Sequence, residues 1–145
     1  MSVSSASATD KGLRRSTNED SVSVREDLGL FVVADGMGGH AAGEVASQEA
    51  VDTVLGMVRR GYASVEQFQH EGPTGDNVRG VQRLLESAVQ AATYMVFAIA
   101  ENDPDQKGMG TTVSALLVME SHAVVAQVGD SRVYLVRENK VYQLT

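Results

Sequence analysis

The chain has 145 residues, with 12 basic and 19 acidic side chains and a formal net charge of −7 at pH 7. This length fits one domain whose core is large enough to fold without disulfides or a structural metal. It has no cysteine, which excludes thiolate zinc sites and thiol nucleophiles and gives no sign of an oxidising compartment, so we expect a cytoplasmic protein. The acidic balance, without a Lys/Arg block or a long apolar run, argues against nucleic acid and membrane as partners.

The N-terminal third predicts a flexible lead-in followed by strands. Residues 1–8 are small and polar, with neither a basic start nor an apolar core, so we expect them to be flexible and not a secretory signal. Residues 22–34 alternate or run apolar and end in the β-branched stretch 30–34. This pattern predicts a buried strand that stops at the glycine-rich loop 35–39.

Apolar residues at helical spacing predict two long helices. The first covers 41–60 and ends on two arginines followed by a glycine. Residues 61–77 show no periodicity, and we interpret them as a surface connection. An apolar stripe over 81–99 predicts the second helix, which Pro104 terminates.

The C-terminal third predicts an antiparallel meander. The strand-like runs are 112–119, 123–128, 132–136 and 141–144. Residues 129–131 and 138–140 are spaced as hairpin turns. Strands, then two helices, then a meander is an α+β order, unlike the βαβ alternation of a doubly wound fold. The last strand reaches residue 145 with no closing element, so we expect the chain to stop inside its domain.

Four acidic residues lie at strand ends or turns: Glu19, Asp20, Asp35 and Asp130. Because adjacent strand residues point to opposite faces, only one of Glu19 and Asp20 can aim directly at a given site. Gly36 has no side chain, so its carbonyl can approach an ion beside Asp35. Carboxylate and carbonyl oxygens suit Mg²⁺ or Mn²⁺, and such sites often hold two ions bridged by one carboxylate.

A basic residue completes this pattern for phosphate chemistry. Arg15 lies four residues before Glu19, and a guanidinium can grip two phosphate oxygens at once. Arg15 and two ions would hold a phosphate ester in line for a metal-activated water, so no protein nucleophile is needed.

Each of these residues also has a purely structural interpretation, as a turn, a strand edge or a solvated charge. The role of His40 is open in the same way, because this residue could be a proton donor, a ligand or an exposed loop histidine. We assign residues 108–112 to structure, as a close-packing turn into a strand. The acids and Arg15 gain specificity only when they are considered together.

Four segments in a fixed order closely resemble bacterial members of the protein phosphatase 2C family, which are metal-dependent Ser/Thr phosphatases. They are Thr9–Ser21, Val33–Ser47, Gly108–Thr112 and Val128–Arg132. The resemblance covers residues 9–145 and identifies them as the N-terminal portion of a single catalytic domain. It implies a four-layer αββα sandwich in which two antiparallel sheets pack face to face and helices cover both outer sides.

The resemblance also implies roles for the site residues. Asp35 would bridge two Mn²⁺ or Mg²⁺ ions, the Gly36 carbonyl would bind one, Glu19 and Asp20 would hold ligands or ion-bound waters, Arg15 would grip the substrate phosphate, and Asp130 would help bind a third, weaker ion. Met37 stands where animal members carry a histidine regarded as the general acid, which leaves the proton donor open. The resemblance does not place His40 in that role.

The family's later motifs, a Ser-Asp-Gly loop and a terminal Asp-Asn pair, are missing from this sequence. They supply the remaining carboxylates of one ion and strands of both sheets, so we expect this chain to bind metal weakly, turn over little and expose sheet edges. The resemblance implies a phosphatase acting on phosphoserine and phosphothreonine proteins opposite a Ser/Thr kinase, and we expect a monomer. The alternatives are a non-catalytic phosphatase-like binding module and a simple divalent-cation binder.

Overall fold

The computed structural model describes residues 3–38 and 42–145, so His40 lies outside the described residues. The elements are β1 (Asp20–Arg25), β2 (Leu30–Met37), α1 (Ala42–Arg60), α2 (Ala63–Glu71), α3 (Gly75–Asn102), a 3₁₀ turn (Pro104–Gln106), β3 (Gly110–Thr111), β4 (Val113–Met119), β5 (His122–Val128), β6 (Tyr134–Arg137) and β7 (Lys140–Gln143). Antiparallel sheets and helices in this order confirm the predicted α+β class. None of the helices in the described part of the chain is long and apolar enough to cross a membrane.

The main sheet is antiparallel, with strand order β1-β2-β4-β5, and the short β3 pairs with the end of β2. Alternate residues of β2 and β4 are buried, including Leu30, Val32, Ala115 and Leu117. This period-two pattern places one face of the sheet against the helices. Helix α1 packs on β1 and β2, α3 packs on α1 and β5, and the core lies between these layers.

The two long helices are confirmed, and the second begins earlier than predicted. Helix α3 starts at Gly75, because the Thr74 side chain accepts a hydrogen bond from the backbone N–H of Asn77 at 3.2 Å. Such a cap satisfies one of the N–H groups that a helix start leaves without a partner.

The interpretation of 61–77 as a surface connection is wrong, because this segment contains α2. Val65 and Phe68 of α2 are buried, and the Phe68 ring meets the ring of His122 edge-on, with centroids 5.3 Å apart. A nine-residue helix that buries two side chains is too short to show a periodic pattern. The segment is therefore part of the core.

Strand β2 continues to Met37, where the sequence predicted a loop from residue 35. The backbone N–H of Gly36 donates to the Glu19 carbonyl at 3.1 Å, and Gly36 and Met37 pair with Thr111 and Gly110 of β3. Asp35 therefore sits inside a paired strand, and its backbone position is set on both sides.

The predicted hairpin at 129–131 is wrong, whereas the turn at 138–140 is confirmed. Strand β5 pairs with β4, and β6 pairs with β7 in a separate two-stranded sheet whose strand residues are all exposed. The side-chain amide of Gln127 donates to the carbonyls of Gly129 and Ser131, which holds this turn closed on β5 itself. The chain then leaves β5 instead of folding back along it.

Candidate metal centre

Asp20 and Asp35 are directly opposite each other on β1 and β2. Paired residues of antiparallel strands share one face of the sheet, with Cβ atoms about 4.5–5.5 Å apart. The register therefore gathers two carboxylates from the first two strands at one end of the sheet, on the face opposite the helices. The hydroxyl of Thr9 donates to the Asp20 carboxylate at 3.1 Å and adds a contact from the N-terminal segment.

The surroundings of the Asp35 carboxyl raise its pKa. Partial burial raises the pKa of the Asp35 carboxyl above its ordinary value, and the Asp20 carboxylate raises it further through its charge and a shared hydrogen bond. The charge of Arg15 lowers the pKa, and the charge of Asp130 adds a smaller rise. A cation bound here would relieve the repulsion between the acids.

Glu19 lies on the other face of the sheet, because it pairs with Gly36 through the hydrogen bond described above. Its carboxyl rests against the start of α1, where a Cβ added to Gly43 would come 2.9 Å from the Glu19 Cδ. A Cβ on Gly36 would overlap the Gly43 carbonyl. Glu19 and Asp20 thus point in different directions, and two glycines allow the strand and helix backbones to touch between them.

Arg15 contacts Glu19 and acts electrostatically on Asp35. Its guanidinium lies 3.4 Å from a carboxylate oxygen of Glu19, while its side chain is 62% exposed. An exposed ion pair of this kind contributes little to stability. The Arg15 side chain thus remains largely accessible to solvent beside its contact with Glu19.

Asp130 is exposed on the 129–131 turn, and it reaches the pair only through its charge. Sequence reasoning missed Thr112, whose hydroxyl accepts from the Asp35 backbone N–H at 3.1 Å and lies 2.8 Å from the Ser131 hydroxyl. The signal was present in the Gly108–Thr112 motif. Met37 is 67% exposed and carries no titratable group.

Over residues 3–38 and 42–145, no three His, Cys, Asp or Glu side chains are close enough together to hold a metal ion. The oxygen groups that do converge fit a hard cation chemically, because they comprise the carboxylates of Asp20 and Asp35. The arrangement is thus a partial ligand set that needs water or further ligands to complete it.

Comparison with known proteins gives the class. The model of the family described as protein phosphatase 2C matches residues 11–145. The chain belongs to this family, as the four sequence motifs indicated.

Two curated relatives and one solved structure give the extent of the similarity. The chain is 39% identical over 140 residues to the serine/threonine protein phosphatase PstP of Mycobacterium tuberculosis, covering 97% of this chain and 24% of PstP. It is 34% identical to the serine/threonine phosphatase stp of Listeria monocytogenes, covering 94% of this chain and 51% of stp. The PstP catalytic domain in complex with two manganese ions superposes with a TM-score of 0.73 at 38% identity, covering 94% of this chain and 52% of that one. The chain thus spans about half of a solved catalytic domain.

Proposed function

We propose that this chain supplies the first part of a metal-dependent phosphatase that hydrolyses phosphoserine and phosphothreonine in proteins. The observation that carries the proposal is the pairing of Asp20 with Asp35 on adjacent strands, with Arg15 beside them. These are the residues that the family resemblance assigns to ions and to phosphate.

Each side chain has a chemical task in this proposal. Asp35 and Asp20 hold divalent cations, with the Gly36 carbonyl as a further oxygen group and Asp130 for a weaker third ion. The Glu19 carboxylate, on the other face of the sheet, acts on the ions only through bound water. The exposed guanidinium of Arg15 binds and orients the phosphate. Bound Mn²⁺ or Mg²⁺ would supply a water of lowered pKa as the nucleophile.

The biological setting follows from the same proposal. Substrates are phosphorylated proteins, and the opposing enzyme is a Ser/Thr kinase. We place the protein in the cytoplasm, because its sequence has no cysteine, and we take it to be a monomer. Residues 9–145 form the first portion of one catalytic domain, and residues 1–8 lead into it.

Manganese-dependent hydrolysis of p-nitrophenyl phosphate and of a phosphothreonine peptide tests the proposal. The assay compares this chain with a longer form that carries the rest of a 2C-type domain. We expect turnover in the longer form, little in the chain alone, and none in the longer form carrying Asp35→Asn. Turnover that survives loss of Asp35 would contradict the assignment.

Arg15→Ala in the active longer form tests the phosphate role separately. Loss of a charged hydrogen bond to the phosphate should raise KM about tenfold or more. Arg14→Ala is the matched control, since Arg14 is an exposed neighbouring arginine. An unchanged KM in the Arg15 variant would mean that Arg15 does not hold the phosphate.

A non-catalytic phosphatase-like binding module is the second candidate. The incomplete ligand set of the described residues favours it for the chain alone. It predicts a phosphopeptide complex without turnover in either form, measured by fluorescence anisotropy. Turnover by the longer form would exclude it.

A further inference from the structure

The ladder between β2 and the β3–β4 segment is altered opposite Asp35. The pairs Val33 with Ser114 and Gly36 with Thr111 share one register, which places Thr112 across from Asp35. The Thr112 backbone N–H donates to the Asp35 carbonyl at 2.9 Å, as in a regular ladder. The return bond is different, because the Asp35 N–H donates to the Thr112 hydroxyl at 3.1 Å.

The backbone carbonyl of Thr112 is used elsewhere. It accepts a hydrogen bond from the Thr111 hydroxyl at 2.9 Å. The Thr112 side chain therefore replaces its own carbonyl as the acceptor for Asp35. A hydroxyl that accepts one hydrogen bond still has a proton to donate.

That proton can reach the 129–131 turn. The Thr112 and Ser131 hydroxyls are 2.8 Å apart, and Ser131 directly follows Asp130 in the chain. The methyl group of Thr112 packs under Gly129, where φ is +98° and an added Cβ would come 2.7 Å from the methyl carbon. One half-buried threonine side chain thus contacts both the strand that carries Asp35 and the turn that carries Asp130.

We propose that Thr112 is a positioning residue, whose hydroxyl fixes the Asp130 turn relative to the Asp35 backbone. This inference rests on the proposed function, because both acids that it positions, Asp35 and Asp130, are assigned to ions there. Thr112 itself touches neither substrate nor metal in this assignment. Its role is to join two acids that lie 95 positions apart in the sequence through two hydrogen bonds.

Two substitutions separate the hydroxyl from the methyl group. Thr112→Val keeps the shape and removes both hydrogen bonds, whereas Thr112→Ser keeps the hydroxyl and removes the methyl. Ser114→Ala is the matched control, since it removes a hydroxyl two positions along the chain that has no hydrogen-bond partner among the described residues. Thermal unfolding without metal checks that all three remain folded.

Mn²⁺ binding to the chain, followed by the electron paramagnetic resonance signal of free Mn²⁺, is the first measurement. Groups that orient metal ligands typically change affinity by about tenfold or more when they are removed. We expect about tenfold weaker binding in Thr112→Val and wild-type binding in Thr112→Ser and Ser114→Ala. Equal binding by the valine and serine variants at position 112 would overturn the proposal.

Amide hydrogen exchange in the metal-free chain is the second measurement. Thr112→Val removes the acceptor of the Asp35 N–H, so that amide should exchange about fivefold faster, while the amide of Val32 in the middle of β2 stays unchanged. Unchanged exchange at Asp35 would overturn the inference about Thr112. Absence of Mn²⁺ binding to the chain and to the longer form alike, with the exchange result as expected, would instead count against the proposed function.

Discussion

Asp20 and Asp35 carry like charges at one strand end, and this should weaken the metal-free fold. The pKa of Asp35 is raised, so the folded chain binds a proton more tightly than the unfolded chain does, and stability falls as pH rises through the interval between the two pKa values. We expect Asp35→Asn to melt at a higher temperature than wild type at pH 7. The difference should vanish below the pKa of the unfolded carboxyl, and Mn²⁺ should raise the melting temperature of wild type only.

Asp27 supplies a control of opposite sign. Arg25 hydrogen-bonds Asp27 at 2.7 Å and lowers the pKa of its carboxyl, so this charge favours the folded state once pH exceeds the ordinary pKa. Asp27→Asn should therefore lose a little stability at neutral pH, without any effect on Mn²⁺. Melting curves from pH 3 to pH 8 compare the two variants, and a lower melting temperature for Asp35→Asn at pH 7 would contradict the crowding argument.

Sequence alone predicted which acids matter, but not how they meet. Alternation along a strand showed that Glu19 and Asp20 must diverge, whereas the choice of Asp20 as the neighbour of Asp35 depends on the β1–β2 register. Thr112 was assigned to structure because a threonine in a turn motif has no chemical signature of its own. Its hydrogen bonds join residues 77 and 19 positions away, and spacing within one segment cannot show such contacts.

The contact between the end of β2 and the start of α1 depends on glycine. At Gly36 an added Cβ would overlap the Gly43 carbonyl and lie 2.5 Å from the Glu19 carbonyl, both rigid backbone atoms. We expect Gly36→Ala to cost about 3 kcal/mol, at the upper end of overpacking penalties. Urea unfolding measures this cost.

Gly80 in α3 is the matched position, since nothing lies within 4 Å of a Cβ added there. Gly80→Ala should gain about 0.5–1 kcal/mol, because alanine loses less backbone entropy in a helix. Similar losses in both variants would mean that the close approach at Gly36 is not the cause.

Helix α2 should behave as a core element, although its sequence predicted a connection. Phe68 is 1% exposed, and Phe68→Ala should cost about 3–5 kcal/mol. Phe97 on α3 is 64% exposed, and Phe97→Ala should change stability by less than about 0.5 kcal/mol. Urea unfolding of the two variants tests this. A small loss of stability in Phe68→Ala would show that α2 is a surface connection and not a core element.

Long elements were predictable and short ones were not. Helices α1 and α3 repeat their apolar stripe over several turns, so their signal exceeds that of scattered apolar residues. The 129–131 turn has the composition of a hairpin, but the Gln127 side chain donates hydrogen bonds to its carbonyls, and the next strand, β6, does not pair with β5. Side-chain contacts of this kind compete with local propensity, and a linear pattern does not record them.

The whole chain presents apolar surface on the side of the main sheet away from the helices and on the β6–β7 hairpin. The exposed apolar residues there are Val24, Val33, Tyr134, Leu135, Val136, Val141, Tyr142 and Leu144. Surface of this extent binds hydrophobic dyes and promotes association. The chain also spans about half of the solved catalytic domain that it resembles.

We therefore expect this chain to enhance the fluorescence of 1-anilinonaphthalene-8-sulfonate and the longer form to do so several-fold less. Val33→Lys in the chain should lower the dye signal, because it places a charge in the centre of the apolar sheet face. Glu138→Lys is the control, since Glu138 is an exposed turn residue, and it should leave the dye signal unchanged. Equal signals from the chain and the longer form would show that this face stays open in both.

The central position of β2 has a consequence for synthesis on the ribosome. One edge of β2 pairs with β1, which is made just before it, but the other edge pairs with β4, and the three helices lie between them in the chain. At about 5–20 residues per second, translation reaches Val113 roughly 4–15 s after Met37. During that interval the nascent β1–β2 pair has an unsatisfied hydrogen-bonding edge next to Asp35, which is open to pairing with another strand until β4 is made.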